Sequence, residues 1–157
     1  MTALEEQQAL DREFHAVLEQ LETAAGTPLV SGEMERWLQE FTAALAAAQP
    51  ALIRRIQVSH APQLKEIRRE DPEMMRNADC VQREDAWIAE TIQGLLARAD
   101  VLQPMVARIE PDEKRAETAL VELGEQAVQL VARARKQEIA LRTWLQEAFT
   151  RDRGVVD

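Results

Sequence analysis

The sequence predicts an all-α fold, an antiparallel up-down four-helix bundle, on three observations. Ala, Leu, Glu, Gln and Arg dominate the chain, and all are good helix formers. Apolar residues recur at alternating steps of three and four along four stretches. No window rich in β-branched and aromatic residues stands out, for the chain has no Tyr and only three Phe and three Trp. The 157 residues fit one domain, 1–157, long enough to bury a core without disulfide or metal staples. An apolar share of 46% is too high for a disordered chain.

The first helix is expected from about Ala3 to Ala24, with the stripe Leu10, Phe14, Val17, Leu21 and Ala24. Gly26 and Pro28 end it, Gly as a left-handed cap and Pro as a residue that cannot continue a helix. Ser31 reads as the N-cap of the second helix, with Glu33 and Glu35 at the positive end of its dipole. Its stripe is Met34, Leu38, Phe41, Leu45, Ala48, Leu52 and Ile56. Pro50 falls inside that pattern and is expected to kink or break the helix. Residues Val58 to Pro62 read as a loop, and Gln63 to Arg69 as a short helical connection.

Asp71 and Pro72 open the third long helix, as cap and first helical residue. Its stripe is Met74, Ala78, Val81, Asp85, Ile88, Ile92, Leu95, Ala99 and Leu102. Gln103-Pro104 and Glu110-Pro111 punctuate the connection to the fourth. Asp112 starts that helix, whose stripe is Ala116, Leu120, Leu123, Ala127, Leu130, Ala134, Gln137, Leu141, Trp144 and Ala148. The tail, Arg151 to Asp157, is expected to be irregular.

Charge narrows the function classes. With 19 basic and 28 acidic residues the net charge is −9, which disfavours nucleic acid and acidic membrane surfaces as partners. The Arg residues at 54, 55, 68, 69, 133 and 135 form local pairs, read as solvated faces. Cys80 has no second cysteine to pair with, and its acidic neighbours Asp79 and Glu84 do not favour a reactive thiolate. No apolar run approaches a membrane span, and a cytoplasmic location is the expectation. No Ser–His–Asp set, Gly-rich phosphate loop or paired Cys appears, so no enzyme class is indicated. His60 lies in the expected loop; Lys65 follows it at five residues without a further Gly, unlike phosphotransfer domains.

Two stripes are interrupted by a polar residue: Asp85 on the third long helix and Gln137 on the fourth. His15 flanks the first stripe and Gln49 the second. Each helix thus offers one polar side chain near the bundle axis. Buried unpaired, such a group costs on the order of 1–3 kcal/mol, and an ionised Asp more. The expectation is a polar centre in which they meet each other, water or an ion. Trp37, Trp87 and Trp144 read as core packing.

Glu84-Asp85-Ala86-Trp87-Ile88 resembles the third-helix motif of hemerythrin-like (HHE cation-binding) domains, with Asp where the family has His. Gln137-Glu138 is similar to the start of the family's fourth-helix motif, with Gln in place of His. The segment Leu145 to Phe149 and the tail from Asp152 to Asp157 are similar to the tail of bacterial members, and His15 matches the first-helix ligand. The resemblance implies a di-iron bundle. Gln49 stands where the second helix has His, Ile53 where Glu follows, and Leu141 follows Gln137 at four. Neutral amides are poor ligands for iron. The expectation is therefore a degenerate member that has lost the metal site and holds no cofactor. It would act as a non-enzymatic interaction or regulatory protein with a protein partner, as monomer or homodimer. The alternative is an iron-binding sensory or oxygen-handling protein using His15, Glu84, Asp85 and Glu138.

Overall fold

The computed structural model describes residues 1–108 and 112–153, the side chains of 148, 149 and 151–153 excepted. Every regular element among them is helical. Four are long: α1 (Ala3–Gly26), α2 (Met34–Arg54), α4 (Met75–Val106) and α5 (Glu113–Arg153). Between α2 and α4 lie a π-helical segment, Arg55–His60, the short α3 (Ala61–Glu70) and a 3-10 turn, Pro72–Met74. No described helix is long and apolar enough to cross a membrane.

Local chemistry sets the helix starts. Thr2 Oγ1 accepts from the Glu5 amide at 3.2 Å, while Glu5 returns a carboxylate to the Thr2 amide at 2.7 Å. This reciprocal capping box begins α1. The Asp71 carboxylate accepts from the Glu73 amide at 3.2 Å, and Asp112 from the Arg115 amide at 3.3 Å, as their positions in the sequence predict.

α1 packs on α2 and α5, and α4 packs on α5 and α2, so each long helix has two long neighbours. Side-chain pairs run in opposite sequence order across these contacts. Gln7 meets Ser59 and Asp11 meets Arg55. Glu84 meets Arg133, and Glu122 meets Arg98. Glu22 meets Arg135, and His15 meets Glu138. The main core runs along all four long helices, with Leu18, Leu38, Phe41, Leu45, Ile92, Leu120, Leu123 and Leu130 at 0% exposure. A second, smaller cluster gathers Leu64, Ile67, Met74, Ala78, Val81 and Leu141.

All nine stripe residues expected from Met74 to Leu102 are buried, as are the eight from Ala116 to Leu141. Trp144 is half-buried, and Ala148 lies outside the described side chains. Trp37 stacks on Phe41, with centroids 4.9 Å apart, and its indole N–H donates to the Thr27 carbonyl at 2.8 Å.

Several boundaries differ from expectation. Gly26 takes no left-handed cap; α1 ends at an extended Thr27. The left-handed residue is Gly32, φ 86°, in the turn before α2. That turn separates Ser31 from the helix, so α2 starts at Met34 behind Glu33 with no side-chain cap. Pro50 does not break α2, which runs on to Arg54. Pro104 likewise lies inside α4, and Glu110-Pro111 falls outside the described residues. α5 continues to Arg153, so Arg151 to Arg153 are helical, not irregular; residues 154–157 are outside the described set.

The expected loop at 58–62 is helix. Pro62 brings no N–H, so the carbonyls ahead of it lose a donor, and the turn there widens. The Ala61 amide reaches back five residues to the Ile56 carbonyl. A π turn carries more residues than an α turn and shifts the helical phase of the residues beyond it. Arg55, Ser59 and His60 are buried in this segment, while Ile56, expected in the stripe, is only half-buried.

Gly124 sits where α5 passes the end of α1. A Cβ there would stand 3.3 Å from the Ala25 carbonyl oxygen and 3.5 Å from the Trp37 ring. At Gly94, inside α4, a Cβ meets nothing within 4 Å. Gly94→Ala is therefore expected to stabilise the fold by about 0.5–1 kcal/mol through helix propensity. Gly124→Ala should fall short of that gain, because backbone and indole must shift. Urea midpoints of the two variants check this; an equal or larger gain at position 124 contradicts the close approach.

Candidate functional site

A layer of buried polar side chains crosses the bundle between the two apolar clusters. On α4 the smaller cluster ends at Val81, Asp85 follows, and the main core resumes at Ile88. On α5 the main core ends at Ala134, Gln137 and Glu138 follow, and the smaller cluster takes over at Leu141. Between Leu52 and Leu64 the layer is the π segment, with Arg55, Ser59 and His60. All six polar residues are 8% exposed or less.

The centre of the layer is Asp85. His60 Nδ1 lies 2.9 and 3.0 Å from its two carboxylate oxygens. The Gln137 amide donates to Asp85 Oδ1 at 2.7 Å and to the Val81 carbonyl at 3.2 Å. A carbonyl only accepts, so the amide nitrogen of Gln137 must face it, and the same nitrogen finds Asp85 as an acceptor. His60 Nδ1 then serves as a second donor to Asp85. The other ring nitrogen, Nε2, is buried and has no hydrogen-bond partner among the described residues.

Beside it lies a second cluster centred on Glu138. Its Oε1 lies 3.1 Å from His15 Nε2, 3.0 Å from Arg142 and 3.7 Å from Arg55. The Arg55 guanidinium also donates to Asp11 at 2.8 Å and lies over the Phe14 ring, 3.9 Å from its centroid. Gln7 hydrogen-bonds both Asp11 and Ser59, tying α1 to the π segment. Buried charges this close to opposite charge and hydrogen-bond donors offset much of their lost hydration.

Of the expected polar centre, Asp85 and Gln137 meet directly. His15 reaches the layer at its edge: its side chain is 54% exposed and touches Glu138 rather than Asp85. Gln49 is half-buried on α2 and has no hydrogen bond to the others. Two readings need correction. His60 is no loop histidine; the π segment turns it inward to 2% exposure. Arg55 is no solvated cation; it is 6% exposed within the layer. Glu138 proves as buried as its neighbour Gln137, since a layer between two cores takes in adjacent residues of one helix.

The four residues of the metal reading stand in three places. His15 meets Glu138, Asp85 meets His60, and Glu84 faces outward onto Arg133 at 2.6 and 2.7 Å. That bond holds the Arg133 guanidinium above its ordinary pKa. Among the described residues no three His, Cys, Asp or Glu side chains converge as a metal set. This donor arrangement does not fit a di-iron centre. Comparison with protein-family models, with curated proteins and with solved structures gave no match.

Asp85→Ala strips acceptors from both His60 and Gln137, and should cost about 3–5 kcal/mol, as when a buried pair loses one member. Gln137→Leu leaves Asp85 its histidine and should cost on the order of 1 kcal/mol or less. The double variant His60→Leu, Asp85→Leu should lose less than the sum of its single variants. Denaturant unfolding measures all of these. A cost for Asp85→Ala within about 0.5 kcal/mol of zero, the range of ordinary surface changes, would remove Asp85 from the centre of the layer.

Proposed function

We propose that this chain works without catalysis, as an antiparallel up-down four-helix bundle that binds or regulates a protein partner through its acidic helical surface. The opposed order of the side-chain pairs between α1 and the π segment that continues α2, α4 and α5, and α1 and α5 supports that topology. The observation that carries the non-catalytic reading is the burial of the pair at the centre of the polar layer. His60 and Asp85 have the chemistry of an acid–base pair, yet they are 2% and 5% exposed. Neither lines a cleft among those described at the surface. A general base needs to stand within hydrogen-bond reach of its substrate. A pair sealed between two apolar clusters acts instead on the protein itself, fixing which residues of each helix face each other.

The net charge of −9 favours a partner with a basic face, and such a contact weakens with salt. The likeness to hemerythrin-like domains then extends to helix order alone, with no iron chemistry.

Chemical access and metal content test this reading together. The chain has two histidines, so diethylpyrocarbonate modification read by mass spectrometry separates them cleanly. His15 should react in the native protein and His60 only after unfolding. Protein purified anaerobically without chelator should carry only substoichiometric metal. Native reaction of His60 as fast as His15, or stoichiometric iron, overturns the proposal.

A further inference from the structure

The outer side of the polar layer opens on a cleft between α4 and α5, about 400 Å³ in volume. Small-ligand sites commonly have this size, apolar walls and a few placed polar groups. The walls here are Val81, Ala140 and the half-buried Trp144. One buried polar side chain reaches the cleft: Gln137, 8% exposed. Its amide nitrogen is committed to Asp85 and Val81, whereas no group among the described residues donates to its amide oxygen. The cleft therefore presents a fixed hydrogen-bond acceptor beside an indole and two aliphatic side chains.

The rim adds an unmatched positive charge. Glu84 is held by Arg133, whose guanidinium also lies over Trp87 at 3.5 Å from the ring centroid. Asp79, next to Cys80 in the chain, is held by Arg68 at 2.7 Å. The nearby acids are thus matched, while Lys136 stands exposed on the rim with no carboxylate partner among the described residues. Arg83, which does not line the cleft, donates to the sulfur of Cys80 on its wall at 3.4 Å. On a chain of net charge −9 this is a local basic rim over an apolar floor.

We infer that the α4–α5 cleft is a binding site for a small aromatic anion that carries a hydrogen-bond donor. The ring lies against Trp144, Val81 and Ala140. The donor meets the Gln137 amide oxygen, and the anionic group meets Lys136. This goes beyond the buried His60–Asp85 pair, because the cleft uses the face of Gln137 that the pair leaves free. It also stands independently of the protein-partner reading.

The test uses 2-anilinonaphthalene-6-sulfonate, an aromatic sulfonate with one N–H donor, in a fluorescence titration of the full chain. Saturable binding at one site is expected. Ala140→Trp, which fills the cleft, should abolish it. Lys136→Glu, a surface change that leaves the fold intact, should weaken it about tenfold by reversing the rim charge. Val128→Trp, in the separate groove beside Trp37, should leave the affinity unchanged. Thermal melts establish which variants are folded; if Ala140→Trp is not, Lys136→Glu decides. No saturable binding, or an affinity that Lys136→Glu leaves unaltered, overturns the site, as does probe bound by folded Ala140→Trp. None of these results alters the histidine accessibility or metal content on which the protein-partner reading depends.

Discussion

The carboxylate of Asp85 joins three elements that are far apart in sequence. Its partners are His60, from the π segment, and Gln137, from α5, while Asp85 itself rides on α4. A carboxylate in an apolar core is tolerated only with opposite charge or several donors. That requirement fixes more than one bond. Asp85 stays buried only if the π segment turns His60 inward and α5 presents position 137 at the same height. The widened turn ahead of Pro62 is the means by which the first condition is met.

Polar layers of this kind set register more than they add stability. Apolar side chains slide past one another at modest cost, since one Leu packs on Ala or Val in several ways. A buried carboxylate and its donors do not slide, because a shift by one turn sets each against hydrocarbon. Here the layer holds two positions on α5, one on α4 and three on the π segment, with Asp11 and Gln7 of α1 at the edge. The Glu138 cluster repeats the device with Arg55 and Arg142 as cations. Lying between two apolar clusters, the layer also divides the bundle: the four-helix core on one side, and α3 with one end each of α4 and α5 on the other.

Regular periodicity made the long helices legible in the sequence. The stripes of α4 and α5 were readable through their polar interruptions, because Asp85 and Gln137 kept the apolar phase on both sides. Their pairing follows from the cost of burying either alone. His60 and Arg55 were not legible for the opposite reason. The stripe continues in the sequence through Ile56 instead of Arg55, and the stretch 58–62 reads as loop, where the chain stays helical as a π segment from Arg55 to His60. The signal was present as two prolines, Pro50 and Pro62, flanking a stretch with few strong breakers. Neither Pro50 nor Pro104 ends its helix, where packing on both sides of a long helix outweighs one missing hydrogen bond. The Ser31 cap was misplaced because Gly32 takes a positive φ and turns the chain before the helix begins.

The division of the bundle bears on how a surface event reaches the interior. Gln137 has two faces: its nitrogen closes the Asp85 centre, and its oxygen meets the α4–α5 cleft. A ligand that donates to that oxygen polarises the amide and strengthens the bond its nitrogen makes to Asp85, as linked hydrogen bonds do. Asp85 in turn holds His60, and through the π segment Ser59 holds Gln7 of α1. The route is short, contiguous and made of directional bonds, whereas the apolar cores on either side offer no equivalent. It gives occupancy of the cleft a direct bearing on how firmly α1 and α3 are held. For the regulatory role proposed above, such a link would be required, because the bound state must differ in free energy from the unbound state at the surface that a partner would read.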